Sequence, residues 1–216
     1  FLTPQAGQLT FDGQNLATLS VKERADHIGY ILQDPNQMLS KTLIFDEVAA
    51  GLVLRGLEPA TIEKRVLATL KVCGLYEFRH WPISALSFGQ KKRVTIAAIL
   101  VLEPAMLILD EPTAGQDLQH YTEMMTFLTK INHEQGMTIM LITHDMHLML
   151  EYTDRTIVLG NGNVLMDDAP ANVLTNDAII EQASLAKTSL YTLAEQNQLN
   201  PTEFVAKFVQ AEREAR

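Results

Sequence analysis

Short apolar runs in this chain alternate with longer stretches whose apolar residues recur every three or four positions. Three runs stand out, over 28–32, 106–109 and 137–143, each bounded by polar or turn-forming residues. They predict buried strands. Between them the period becomes helical. Ser20 followed by Glu23 is a capping-box pattern for a short helix. Glu58-Pro59 opens an amphipathic helix to about 72, with Ile62, Val66 and Leu70 on one face. Further helices are predicted over 87–102, 118–134 and 146–152. Strands separated by helices imply an α/β fold. Two hairpins flank this core: one turns at Asp12-Gly13, the other at Gly160-Asn161-Gly162-Asn163. Beyond Ala169-Pro170 the pattern changes to short helices over 176–183, 189–196 and 202–213, which reads as a small helical appendage.

Composition narrows the class. With 216 residues, 47% hydrophobic and 20% charged, the chain has the balance of a globular protein with one sizeable core. The longest apolar run, around 96–102, is far short of a membrane span. A net charge of −9 argues against nucleic acid or an anionic lipid surface as the main partner. The single cysteine, Cys73, reads as a small apolar residue on a helix and fits a reducing compartment.

Two segments carry candidate chemistry. Leu86-Ser87-Phe88-Gly89-Gln90 is a polar turn opening a helix, where a hydroxyl, free N–H groups and the helix dipole favour a phosphate. Met106-Leu107-Ile108-Leu109-Asp110-Glu111-Pro112 is a buried strand ending in two adjacent carboxylates, an arrangement suited to a metal partner and a base in Mg²⁺-assisted hydrolysis. Lys91, Lys92 and Arg93 follow the first segment. Positive charge near a helix N-terminus opposes the dipole, so either an anion lies nearby or the three cations are solvated.

In this order and spacing the two segments resemble the signature and Walker B motifs of ABC-type ATPases. Gln33 after 28–32 is similar to the family's Q-loop glutamine, Ala114-Gly115-Gln116-Asp117 to its D-loop, and His144 after 137–143 to its switch histidine. The resemblance runs from residue 1 to about 168. Its implied fold is a P-loop NTPase, RecA-like cassette core with a helical signature subdomain over about 40–103. The corresponding domains are a cassette over 1–168 and the helical appendage over 169–216.

The implied ligands are ATP and Mg²⁺. Asp110 and Gln33 would hold the metal, Glu111 would be the general base, and His144 would orient water at the γ-phosphate. Ser87, Gly89 and Gln90 would bind the nucleotide of a second cassette, and Asp117 would reach across that dimer, homo- or heteromeric, or fused in one chain. Phe88 replaces the signature's commoner Gly, and Gln116 departs from the usual apolar residue of the D-loop. Gln33-Asp34-Pro35-Asn36-Gln37-Met38 resembles the short extra helix of energy-coupling-factor ATPases, motors of cobalt and vitamin importers. The resemblance would place the protein on the cytoplasmic face of the cell membrane, held there by a membrane-embedded coupling subunit.

No G-x-x-x-x-G-K-[ST] phosphate loop occurs in the sequence. The expectation is a fragment that follows such a loop and is inactive alone. Two other readings stay open: a non-transport ABC protein, and a non-hydrolysing module that offers its signature face to a partner.

Overall fold

The computed structural model describes residues 4–214. They form two compact units, one ending at Ile142 and the other beginning at Thr143.

The first unit opens with the hairpin strands β1 (Thr10–Phe11) and β2 (Gln14–Asn15). Helix α1 (Val21–His27) starts at the Ser20 capping box and runs into β3 (Ile28–Ile31). A single 3-10 turn, Pro35–Gln37, follows with Asp34 as its cap. Helices α2 (Ile44–Leu54), α3 (Pro59–Val72) and α4 (Phe88–Leu100) come next. Strand β4 (Met106–Asp110), helix α5 (Leu118–Gln135) and strand β5 (Thr138–Ile142) complete the unit. Gly136 adopts the left-handed conformation that ends α5, with φ 63°. The α/β expectation holds. The sheet is parallel, in the order β3-β4-β5, with Ile31 opposite Leu109 and Asp110 opposite Ile142.

Alternation along the strands gives this sheet two unlike faces. Ile31, Leu107 and Leu109 are fully buried, each burial stabilising by about 1.5–3 kcal/mol. The fit on that side is close at Gly29, where an added Cβ would lie 2.2 Å from Ile99 of α4. On the opposite face Tyr30, Met140 and Ile142 are exposed. Cys73 is buried, and desolvation pushes its thiol up to about 12, so it acts as an inert apolar side chain.

The second unit begins with α6 (Met146–Tyr152) and the hairpin β6 (Thr156–Gly160) and β7 (Asn163–Asp168). Four helices follow: α7 (Pro170–Val173), α8 (Asp177–Gln182), α9 (Ser189–Gln196) and α10 (Pro201–Glu214). Leu150 of α6, Val158 of β6, Val173, Ile179 and Val205 form one hydrophobic core. The change of pattern at Ala169 therefore falls inside this unit, because hairpin and tail share their apolar contacts. Arg213 reinforces it by donating to the Leu150, Glu151 and Thr153 carbonyls at the end of α6, as cations do at helix C-termini.

Candidate functional site

Three parallel strands bring their carboxyl ends to one edge, where open α/β sheets bind ligands. Asp110 is the last residue of β4. Tyr30, on the same face of the neighbouring strand, donates its hydroxyl to Asp110 Oδ2 at 3.3 Å. Desolvation, and then the Asp110 charge, hold the Tyr30 phenol above its ordinary pKa.

Glu111 continues the ladder by one bond, its N–H donating to the Ile142 carbonyl at 2.9 Å. Its φ is +44°, a left-handed conformation sparsely populated outside glycine. Pro112 then turns the chain away, and the Ala114 N–H donates back to the Glu111 carbonyl at 3.2 Å. Gln33 lies two residues past the end of β3 and is exposed. The Asp34 carboxylate next to it caps the 3-10 turn through the Asn36 N–H at 2.9 Å.

The signature segment forms a complete capping box. Ser87 Oγ accepts from the Gln90 N–H at 3.3 Å, and Gln90 Oε1 accepts from the Ser87 N–H at 3.0 Å. The three following cations separate. Lys91 Nζ donates to Asn36 Oδ1 at 3.1 Å. Arg93 pairs with Glu123 at 3.6 Å and lies over the Phe127 ring. Lys92 is 0% exposed, and its ammonium donates to the Glu111 carbonyl at 2.9 Å. Burial lowers its pKa, opposed by the charges of Asp110, Glu111 and Asp34. Of the two readings of the basic run, solvation thus fails at Lys92, and the nearby anions are the chain's own carboxylates. The signal was present in the sequence: Lys92, Ile96 and Leu100 recur at helical spacing, so Lys92 belongs to the buried stripe.

Ser87, Gly89 and Gln90 line a cleft of about 370 Å³ together with Gln116, His120 and Arg93. Asp117 is the cap of α5. It accepts from the His120 N–H at 3.0 Å and contacts the His120 ring at 2.8 Å. Hydrogen bonding from the His120 backbone, then from its ring, holds the Asp117 carboxyl below the usual range. His120 is a cleft residue that sequence reasoning missed. Its place one turn after Asp117, on the same helix face, was the available clue.

His144 stands in the second unit, two residues past the end of β5 and just before α6. Asp145 caps that helix through the His147 and Leu148 N–H groups.

The first unit therefore collects Asp110 and Glu111 on one turn, Gln33 beyond the adjacent strand, and Ser87, Gly89 and Gln90 around one cleft. Among the described residues no group of three or more His, Cys, Asp or Glu is arranged to hold a metal. The edge carries the Asp110 and Glu111 carboxyls, with the Gln33 amide beyond the adjacent strand, a set of few oxygen donors of the kind that would fit a Mg²⁺ bound chiefly through phosphates.

Comparison with known proteins bears on this arrangement. A family model described as ABC transporter matches residues 1–114. A protein of Lactiplantibacillus plantarum, provisionally named an ABC transporter ATP-binding protein, is 83% identical over the whole chain. A relative in Enterococcus faecalis with the same provisional name is 61% identical over 217 residues. The chain spans 38% of the length of each of these two relatives. The solved structure of cbiO1 from Clostridium perfringens, described as part of the ABC transporter complex cbiONQ, is 35% identical with a TM-score of 0.76. That match covers 92% of this chain and 78% of cbiO1.

Proposed function

The chain belongs to the ABC transporter family, and from that premise we propose that it forms part of the ATP-hydrolysing cassette of an energy-coupling-factor-type importer. ATP would be hydrolysed at a dimer of cassettes and coupled to uptake of a vitamin or metal ion. The observation that carries this reading is the turn at the end of β4, where Asp110 and Glu111 stand together at the ligand-binding edge of the parallel sheet.

Asp110 would hold Mg²⁺, with the Gln33 amide as a second oxygen donor. When bound, the ion would supply positive charge against the phosphate oxygens. Water attacks the γ-phosphoryl group, Glu111 takes the water proton, and the bond to the leaving oxygen breaks to release ADP. A role for His144 in orienting that water is what the family resemblance implies. Ser87, Gly89 and Gln90 hold the γ-phosphate of a nucleotide on the opposite cassette, and Asp117 contacts that cassette.

The turn at Pro35–Gln37, and likeness to a protein described as part of a transporter complex, favour a membrane-embedded coupling subunit as a further partner. No described helix is long and apolar enough to cross a membrane. A place on the cytoplasmic face of the cell membrane would then come through protein contacts.

In the full-length protein, Glu111→Gln should retain nucleotide binding while turnover falls about a hundred- to ten-thousand-fold, the usual effect of losing a general base. Near wild-type hydrolysis in that variant would remove Glu111 from the role. The 216 residues alone contain no phosphate loop. Calorimetry of this polypeptide with Mg-ATP should therefore show no heat above dilution, and micromolar binding would overturn the reading that these residues alone lack what ATP binding needs, while leaving the cassette assignment in place.

A further inference from the structure

Lys92 has a task that hydrolytic chemistry does not by itself require. Its side chain leaves the first turns of α4, the signature helix, and ends on the turn that follows β4. There the ammonium, fully buried, donates to the Glu111 carbonyl at 2.9 Å. The same carbonyl accepts from the Ala114 N–H, and the Glu111 N–H is bound to Ile142. Both ends of the Glu111 residue are therefore fixed, in a backbone conformation with φ +44° that costs energy for a side chain with a Cβ. Such conformations persist where the surroundings over-determine them. A buried ammonium also costs desolvation, and the hydrogen bond it makes must offset that. A neutral apolar residue at this point of the buried stripe would avoid the cost. On the solvent side, the Phe88 ring centroid lies 6.0 Å from the Lys92 ammonium. Phe88 is the third residue of the 86–90 segment, so the ammonium has an aromatic ring on that side as well as the Glu111 carbonyl.

We propose that Lys92 is a positioning residue for the hydrolytic turn: from the signature helix it holds the Glu111 carbonyl and so fixes the backbone from which the Glu111 carboxylate is aimed. The signature helix and the base then share one strut. The inference rests on the reading of Glu111 as general base.

The experiment uses the full-length protein, with steady-state Mg-ATP turnover as the readout. Lys92→Met keeps the length of the side chain and removes the donor. It should lower kcat about ten- to a hundredfold, the scale of a small misplacement of a catalytic group, with KM within about twofold. Lys92→Gln keeps a shorter, neutral donor and should fall between wild type and Lys92→Met. Adding Lys92→Met to Glu111→Gln should cause no further loss, because the residue acts through Glu111. Should Lys92→Met fail to fold, Lys92→Gln decides alone: a lowered kcat at unchanged KM supports the proposal, and any other result overturns it. Wild-type kcat in Lys92→Met, equal loss in both variants, a raised KM, or an additive loss on Glu111→Gln would each overturn it as well. If Glu111→Gln is inactive while Lys92→Met is normal, only this inference falls. If Glu111→Gln is fully active, the reading beneath it falls too.

Discussion

Helices α1 and α4 open with the same pair of hydrogen bonds, closed by a carboxylate in the first and by an amide in the second. Ser20 Oγ and Ser87 Oγ each accept from the N–H three residues on, both at 3.3 Å. The returning bond comes from the Ser20 N–H to Glu23 in α1 and from the Ser87 N–H to Gln90 in α4. A carboxylate in the first turn complements the helix dipole and an amide does not. Helix α1 is short and buries no residue, so it depends on its cap. Helix α4 buries six residues, from Lys92 to Leu100, and is held by packing. Only a helix with that support can forgo the favourable charge and leave its N-terminus open to an external anion. The difference is consistent with a structural start at α1 and a phosphate-facing start at α4.

The strongest way to break this contrast is to make the second box like the first. Gln90→Glu preserves the cap geometry and should leave thermal unfolding unchanged or slightly raised. It also puts a negative charge on the cleft assigned to a triphosphate. Like charges so juxtaposed cost several kcal/mol, so ATPase activity of the full-length protein should fall about a hundredfold or more. Unchanged turnover would mean that the amide at position 90 is only a cap. A smaller effect separates the two serines. Ser20→Ala and Ser87→Ala should each cost about 1 kcal/mol in denaturant unfolding, the usual loss for an N-cap. Only Ser87→Ala should also slow turnover, by about tenfold, from the lost hydrogen bond to a charged group. Equal activity in the two variants would erase the functional half of the comparison.

Most of the fold was legible in the sequence because its local signals agree. The capping-box pattern at Ser20, the polar turn at Ser87 and Pro59 at the start of α3 each mark a boundary where backbone groups must change partners. The strands were legible from their apolar runs. The four-residue helix α7 was not, since one turn has no period to detect. The segment after Gln33 was expected as a short helix and is a single 3-10 turn, the most that three residues between Asp34 and Met38 can form. In the candidate site, the adjacency of Asp110 and Glu111 is a matter of chain order and was plain. The joining of Lys92 to the Glu111 carbonyl depends on which face of α4 meets β4. A run of three cations concealed the one whose spacing belongs to the core. The left-handed backbone of Glu111 left no trace in composition, because the ladder bond to Ile142 and the turn through Ala114 impose it from outside.

The smallest predicted effect concerns pH and sharpens the same comparison. The Glu23 carboxyl is held below its ordinary value of 4.5 by the Ser20 hydroxyl first and the Ser20 N–H second. A carboxylate with a depressed pKa in the folded state contributes stability that is fully present above its unfolded pKa. That contribution is lost as pH falls through the folded value. Start-of-helix order in α1 should thus hold at pH 5 and weaken only below about 4.5, while the Gln90 box, with no proton to gain, should not respond in the same window. Carbon-13 shifts of the Glu23 carboxyl, read together with the amide shifts of residues 20–24 and 87–91, would follow both boxes in one titration. In Ser20→Ala the Glu23 midpoint should move back toward 4.5 without reaching it, since the position 20 N–H remains as a donor. A midpoint unmoved by that substitution would show that the hydroxyl does not stabilise the charged form, and the two boxes would then differ in residue type without differing in electrostatics.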